Sequence, residues 1–178
     1  MLYLFGFERI GVAVSDIYFV DPNPTKGQEG AERGVRLELR WLEPGELKGS
    51  IYSARPITVD RPIWRVDLLE SVTGEPGSFD RTHHHPGIDG WEPGRRVFDR
   101  GLSAEPLKWL GERLADLEGV LEQAGVKPDE VTSADVNGLR DRTPEIVDAV
   151  GRLLDSVRAD DGAPADAESA TSVRASWL

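Results

Sequence analysis

The chain has 178 residues, of which 39% are hydrophobic and 30% charged, and its formal net charge is −11; this describes one acidic globular domain better than two. It contains no cysteine, which excludes disulfides, thiolate zinc sites and a cysteine nucleophile. No apolar run approaches the roughly 20 residues of a membrane helix and no basic stretch suits duplex binding, so we expect a cytoplasmic protein without membrane contact, and affinity for nucleic acid is disfavoured.

The first hundred residues have the composition of β-strands. Residues 2–7 and 10–20 are rich in β-branched and aromatic side chains, whereas residues 21–34 have the prolines and glycines of a loop. The clearest period of two places four apolar residues between charged ones: Val35, Leu37, Leu39 and Trp41. Further strands are predicted over residues 47–59 and 63–72, with a break at Asp60-Arg61-Pro62 between them.

The period becomes helical after residue 100. A helix over residues 103–124 is predicted, with Ser103 as N-cap, Pro106 in the first turn and Gly125 after the end. Its apolar face consists of leucines spaced by three and four: Leu107, Leu110, Leu114, Leu117 and Leu121. Two further helices are predicted over residues 129–139 and 144–158, the second capped by Thr143.

Strands that precede helices, instead of alternating with them, indicate an α+β fold. We expect a curved antiparallel sheet packed against C-terminal helices in a single domain, residues 1–158, with the leucine face in the same core as the 35–41 strand. Residues 159–178 contain too few apolar side chains to offset their ordering entropy, which predicts a disordered acidic tail.

All three histidines of the chain are consecutive, His83, His84 and His85. In an extended segment His83 and His85 point one way and His84 the other. With Asp80 or Asp89, two imidazoles would make an acid–base site or a divalent metal site, and Asp67 and Glu70 on the preceding strand could add carboxylates. The alternative is that these histidines are structural, hydrogen-bonded residues of a polar segment.

The same region holds the one locally basic stretch. Arg81, Arg95, Arg96 and Arg100 could hold a phosphate or a carboxylate, or they could pair with the many acidic residues nearby. Together with Asp67, we assign Arg81, Arg95 and Arg96 as candidate substrate-binding residues. The glycines form no phosphate loop, no serine has a nucleophile-elbow context, and we expect no cofactor.

Residues 79–86, Phe-Asp-Arg-Thr-His-His-His-Pro, resemble a motif of the TumE family of bacterial toxins. Tyr52-Ser53 before this segment and the helix from Ser103 after it follow in the same order, so the resemblance covers about residues 8–124. It implies a toxin-like activity that maps onto Asp80, His84 and His85. Where that family adds a second His-x-His element, this chain has Gly-Arg-Arg-Val-Phe at residues 94–98.

Two functions from different classes follow. The first is a small toxin-like protein, acting on RNA, in which Asp80, His83, His84 and His85 provide acid–base catalysis and Arg95 or Arg96 neutralises the phosphate. The alternative is a non-catalytic protein-interaction module, such as an antitoxin, an immunity protein or an accessory subunit. The acidity of the chain then predicts a partner with a basic surface, or a cognate antitoxin in the toxin-like case. A metal-dependent enzyme would need ligands that the sequence does not clearly supply.

Overall fold

Five antiparallel strands form the main sheet, in the order in which they occur along the chain. They are β1 Leu2–Gly6, β2 Ile10–Val20, β3 Ala31–Pro44, β4 Ile57–Ser71 and β5 His83–His85. Two short strands, β6 Ile88–Asp89 and β7 Glu92–Pro93, form a separate hairpin. The structure is a computed structural model that describes residues 1–159. The predicted α+β fold with an antiparallel sheet is confirmed.

The sheet has one apolar face because the side chains of its long central strands alternate. In the β3–β4 ladder Val35 lies opposite Leu68, Leu37 opposite Val66 and Leu39 opposite Trp64. All six side chains are buried in one hydrophobic cluster. The residues between them point to the second face, which is mainly polar and which carries the candidate site described below.

The predicted boundaries around β4 are wrong. Residues 45–56 connect β3 to β4, so the strand predicted over residues 47–59 exists only from Ile57 onward. The break predicted at Asp60-Arg61-Pro62 is absent, because β4 runs through Pro62 to Ser71. The register shifts between Leu39 and Leu42 of β3, where Arg40 lies opposite Pro62. This irregularity accommodates Pro62, which has no N–H to donate to the ladder.

Within residues 1–159, four helices follow the sheet: α1 Arg100–Ala104, α2 Pro106–Ala115, α3 Leu117–Gln123 and α4 Ser133–Ala159. The single helix predicted over residues 103–124 is therefore three, and Asp99 instead of Ser103 is the first cap, since its carboxylate accepts from the backbone N–H groups of Gly101 and Leu102. Pro106 cannot continue α1 because it lacks an N–H, but it suits the first position of α2.

Helix α4 is continuous where two helices were predicted. Pro144 lies within it, on an exposed position, and the hydroxyl of Thr143 donates to the carbonyl of Leu139 at 3.1 Å instead of capping a new helix. A proline inside a helix costs about 3 kcal/mol. The buried stripe continues on both sides of it: Leu139, Ile146, Ala149, Val150, Leu153 and Leu154. Burial of this stripe against one core offsets that cost.

The helices pack on the apolar face of the sheet, and the predicted shared core is confirmed. Leu110, Leu114, Leu117 and Leu121 are buried in the same cluster as Val35, Leu37 and Leu39, with Leu107 and Trp41 at its edge. None of the helices within residues 1–159 is long and apolar enough to cross a membrane. The tail predicted for residues 159–178 lies outside the described part of the chain, except Ala159, the last residue of α4.

A buried carboxylate joins the start of α4 to the β1–β2 turn. Asp135 is fully buried, and its Oδ1 accepts from the backbone N–H groups of Glu8 and Arg9, both at 2.9 Å. Its Oδ2 accepts from the Thr132 N–H at 2.9 Å, while the Thr132 hydroxyl accepts from the Asp135 N–H at 3.1 Å. This reciprocal pair is a capping box, so one side chain both starts the helix and attaches it to the sheet.

Replacing Asp135 with alanine will lower the free energy of unfolding by about 3 kcal/mol, because several buried N–H groups lose their acceptor together. Urea denaturation of D135A beside wild type measures this. The matched control is Asp141→Ala, an exposed position of the same helix, where we expect a change below about 0.5 kcal/mol. Equal effects of the two substitutions would contradict the assigned role of Asp135.

Candidate functional site

The histidine segment is the edge strand β5, paired with β4. His83 lies opposite Asp67, His84 opposite Val66 and His85 opposite Arg65. The rings of His83 and His85 lie 5.0 Å apart on the polar face of the sheet. The His84 ring lies on the other face, 5.1 Å from the ring of Trp109 and 6.5 Å from that of Trp64. The structure thus agrees with the predicted alternation of the three side chains.

Asp67 lies at the centre of the polar group. Its Oδ1 accepts a hydrogen bond of 2.7 Å from Nε of Arg36. Its Oδ2 lies 3.0 Å from Nε of Arg65, 3.4 Å from Nε2 of His83 and 3.6 Å from Nε2 of His85. The three residues Asp67, His83 and His85 are 1%, 3% and 2% exposed. The site is therefore buried beneath the surface of the fold.

Backbone carbonyls orient the two imidazoles. Nδ1 of His83 lies 2.8 Å from the carbonyl oxygen of Arg81, and Nδ1 of His85 lies 2.8 Å from that of Gly94. A carbonyl only accepts, so each Nδ1 carries the proton, and in the neutral ring Nε2 keeps its lone pair. Nη2 of Arg65 lies 3.0 Å from Nε2 of His85 and donates to it. Both Nε2 atoms thus face Asp67 as acceptors.

Burial and charge shift the pKa values of this group in ways that keep Asp67 charged and His83 neutral. Burial alone would raise the pKa of Asp67, but the charges of the neighbouring Arg36 and Arg65 outweigh it and hold that pKa well below its usual range. Burial lowers the pKa of His83 to about 4 despite the nearby Arg81 carbonyl and Asp67 carboxylate. Burial also lowers the pKa of His84. A general base needs a pKa near the working pH, and the lowered pKa values of His83 and His84 move away from it.

Asp80, a predicted catalytic residue, is not part of this group. Its carboxylate accepts from the Ser71 N–H and hydroxyl, each at 2.9 Å, and from the Ser78 hydroxyl at 3.0 Å. It shapes the turn between β4 and β5.

Glu70 lies near Arg33, at 3.5 Å, and accepts from the Gly77 N–H at 2.7 Å. Asp89 is exposed in β6.

Two of the three predicted substrate-binding arginines contact the 21–30 loop. Arg81 donates to the carbonyl oxygen of Gly27 at 2.6 Å and lies 3.3 Å from Asp80. Arg96 donates to the side chain of Gln28 at 3.1 Å and lies 3.5 Å from Asp21. Arg95 is exposed. For Arg81 and Arg96 these contacts favour the alternative to phosphate binding, in which the arginines pair with groups of the same chain.

Sequence reasoning missed Arg36 and Arg65. Because side chains alternate along β3 and β4, both arginines point to the polar face of the sheet together with Asp67. Arg36 lies directly opposite Asp67 in the β3–β4 ladder, so a cross-strand ion pair could have been proposed if the register had been known. Period-two alternation alone does not supply that register.

A second feature of the surface is the α3–α4 groove, a cavity of about 440 Å³ between α3 and the start of α4. Its walls are mostly apolar and comprise Leu121, Val126, Pro128, Val131 and Val136. Glu118, Glu122 and Lys127 lie at its rim. No local pattern in the sequence predicts this groove, because the 124–132 connection forms it by folding back between two helices.

Comparisons with protein-family models, with curated proteins and with solved structures find no match. The resemblance of residues 79–86 to the TumE toxins therefore remains a prediction.

The pKa of His83 predicts acid sensitivity. Between pH 6.5, its ordinary pKa, and about 4, the unfolded chain binds a proton at His83 that the folded chain does not. The free energy of unfolding is therefore unaffected above pH 6.5, and it falls by about 3 kcal/mol as the pH is lowered from 6.5 to about 4. Chemical denaturation at several pH values, in buffer containing a chelator, measures the slope.

In His83→Gln the slope within this window will be smaller by about one proton. The further loss of stability below pH 3.8 that comes from Asp67, whose pKa is lowered from 3.8, will remain in the same variant. An unchanged slope between pH 6.5 and 4 in H83Q would show that His83 is not held neutral by burial.

Proposed function

We propose that this protein is a non-catalytic protein-interaction module whose α3–α4 groove receives an apolar side chain of a partner with a basic surface. The observation that carries the proposal is the groove itself, with apolar walls and glutamates at its rim. Pockets that desolvate one anchoring side chain contribute most of the energy of many interfaces. The groove is open to a partner, whereas the histidines are not.

Charge supports a basic partner. Residues 116–132, which flank the groove, contain five carboxylates and one lysine. The five are exposed: Asp116, Glu118, Glu122, Asp129 and Glu130. Such a cluster raises the association rate of a cationic surface and makes its affinity sensitive to salt. The net charge of −11 acts in the same direction.

Burial of the histidines argues against open acid–base catalysis. His83, His84 and His85 are 3%, 6% and 2% exposed, and a general base must reach the proton that it removes. The RNA-directed, toxin-like activity is the second proposal. It is favoured by one observation, the meeting of His83, His85 and Asp67 with two arginines, which suits a phosphodiester if the covering 86–99 segment opens.

A partner can be found and measured in two steps. A photo-crosslinking residue at position 122 should trap a protein in cells that express this chain natively, whereas the same residue at Tyr18, an exposed position on the sheet, should not. The trapped protein is then purified and its Kd measured at two salt concentrations. Weaker binding at higher salt is the expected result.

Glu122→Lys will weaken the binding of that partner by about tenfold or more, since it replaces attraction by repulsion at the groove. The matched control is Glu112→Lys, an exposed helix carboxylate outside the groove lining, and its Kd should stay near wild type. Equal weakening by both variants would reject the groove as the binding site, and RNA cleavage by the purified wild type that H83A abolishes would reject the interaction module in favour of the toxin-like alternative.

A further inference from the structure

Three acceptor atoms converge on the polar face of the sheet. Oδ2 of Asp67 and Nε2 of His83 and His85 lie within 4.8 Å of one another. Among the described residues, no donor is hydrogen-bonded to the buried Oδ2, and the nearby Nε of Arg65 is likewise without an acceptor. Their separation of 3.0 Å is therefore a contact of charges without hydrogen-bond geometry.

This arrangement is unusual for a group that is only structural. Buried polar atoms are nearly always hydrogen-bonded, and an exception calls for a cause such as an ion. The lone pair of His83 Nε2 faces a carboxylate oxygen at 3.4 Å, so two acceptors confront each other. A cation between them would satisfy both.

We propose that Asp67, His83 and His85 form a binding site for a divalent first-row transition-metal ion. The ligand atoms are Oδ2 of Asp67 and Nε2 of the two histidines. Imidazole nitrogen and carboxylate oxygen suit zinc, iron(II) and cobalt(II), whereas magnesium and calcium prefer oxygen alone. Three protein ligands leave at least one coordination position for water or another group.

The distances from Oδ2 to the two Nε2 atoms match such an ion after a small contraction. Ligands bound at about 2.1 Å to one ion lie about 3.0 to 3.4 Å apart at octahedral or tetrahedral angles. The carboxylate oxygen is 3.4 Å from one Nε2 and 3.6 Å from the other. The Nδ1–H groups that donate to the Arg81 and Gly94 carbonyls are the outer-shell bonds by which metal-binding histidines are held in place.

Arg65 competes with the ion. Its Nη2 donates to Nε2 of His85 at 3.0 Å, and an ion that uses this lone pair displaces the guanidinium. Arg36 retains its hydrogen bond with the other carboxylate oxygen, Oδ1. The metal thus takes over from Arg65 the neutralisation of Oδ2, and the affinity of the site is set by this exchange.

The run of three histidines provides an internal control. If the run binds metal as a flexible peptide, each histidine contributes and Asp67 does not. If the folded site binds it, His84 is irrelevant, because its ring lies among Trp64 and Trp109 on the other face of the sheet. The comparison of H84Q with H83Q and H85Q separates the two cases.

The test uses the full chain without an affinity tag, stripped with a chelator and titrated with Zn²⁺ and Co²⁺. Calorimetry gives the affinity and stoichiometry, and cobalt absorption reports the ligand field. We expect one ion per chain. H83Q, H85Q and D67N should each lose more than the about 10- to 100-fold that removal of an outer-shell partner costs, while H84Q binds like wild type.

Arg65→Gln should bind the ion more tightly than wild type, because the competing cation is gone. Circular dichroism verifies that each variant is folded, and if D67N does not fold, the three histidine variants still decide. The proposal is overturned by no binding to wild type, by equal losses in H84Q and H83Q, or by unchanged affinity in a folded D67N. Equal or lower affinity in R65Q would overturn the exchange with Arg65.

Discussion

A carboxylate buried in the middle of a sheet has to be neutralised, and the polar face of this protein is arranged around that requirement at Asp67. Arg36 and Arg65 supply the positive charge from β3 and β4. The imidazoles of His83 and His85 close the remaining side. Removing one partner of a buried charged group typically costs several kcal/mol, so Asp67 and its two arginines stabilise one another as a unit.

This group also explains why a strand of three residues persists at the edge of the sheet. Strand β5 is short, but its side chains contact both faces, with His84 beside two tryptophans and His83 and His85 near Asp67. The Arg81 and Gly94 carbonyls that fix the imidazoles belong to the segments on either side of β5. The histidine segment is therefore anchored on both faces of the sheet, and it forms a strand instead of an open catalytic loop.

The parts of the fold that follow from local periodicity could be predicted from the sequence. Alternation gave the apolar face of β3, and the spacing of the leucines gave the helical stripe. Pro62 and Pro144 misled the prediction because tertiary burial on both sides outweighs what a proline costs locally. The site was predicted in part. Asp67 was one of several candidate carboxylates, and Asp80, which is near the histidines in sequence, lies in a turn. Which carboxylate meets His83 depends on the β4–β5 register, which no local pattern reveals.

The central claim is that the Nε2 atoms of His83 and His85 both carry no proton and face the Asp67 carboxylate as hydrogen-bond acceptors. Long-range ¹H–¹⁵N NMR of the imidazole nitrogens, on ¹⁵N-labelled protein at pH 7.5 with a chelator present, tests it most directly. We predict that in both rings Nδ1 carries the proton and Nε2 does not. A proton on Nε2 of either ring would contradict the account, because that ring would then donate to Asp67 and the three acceptors would not converge.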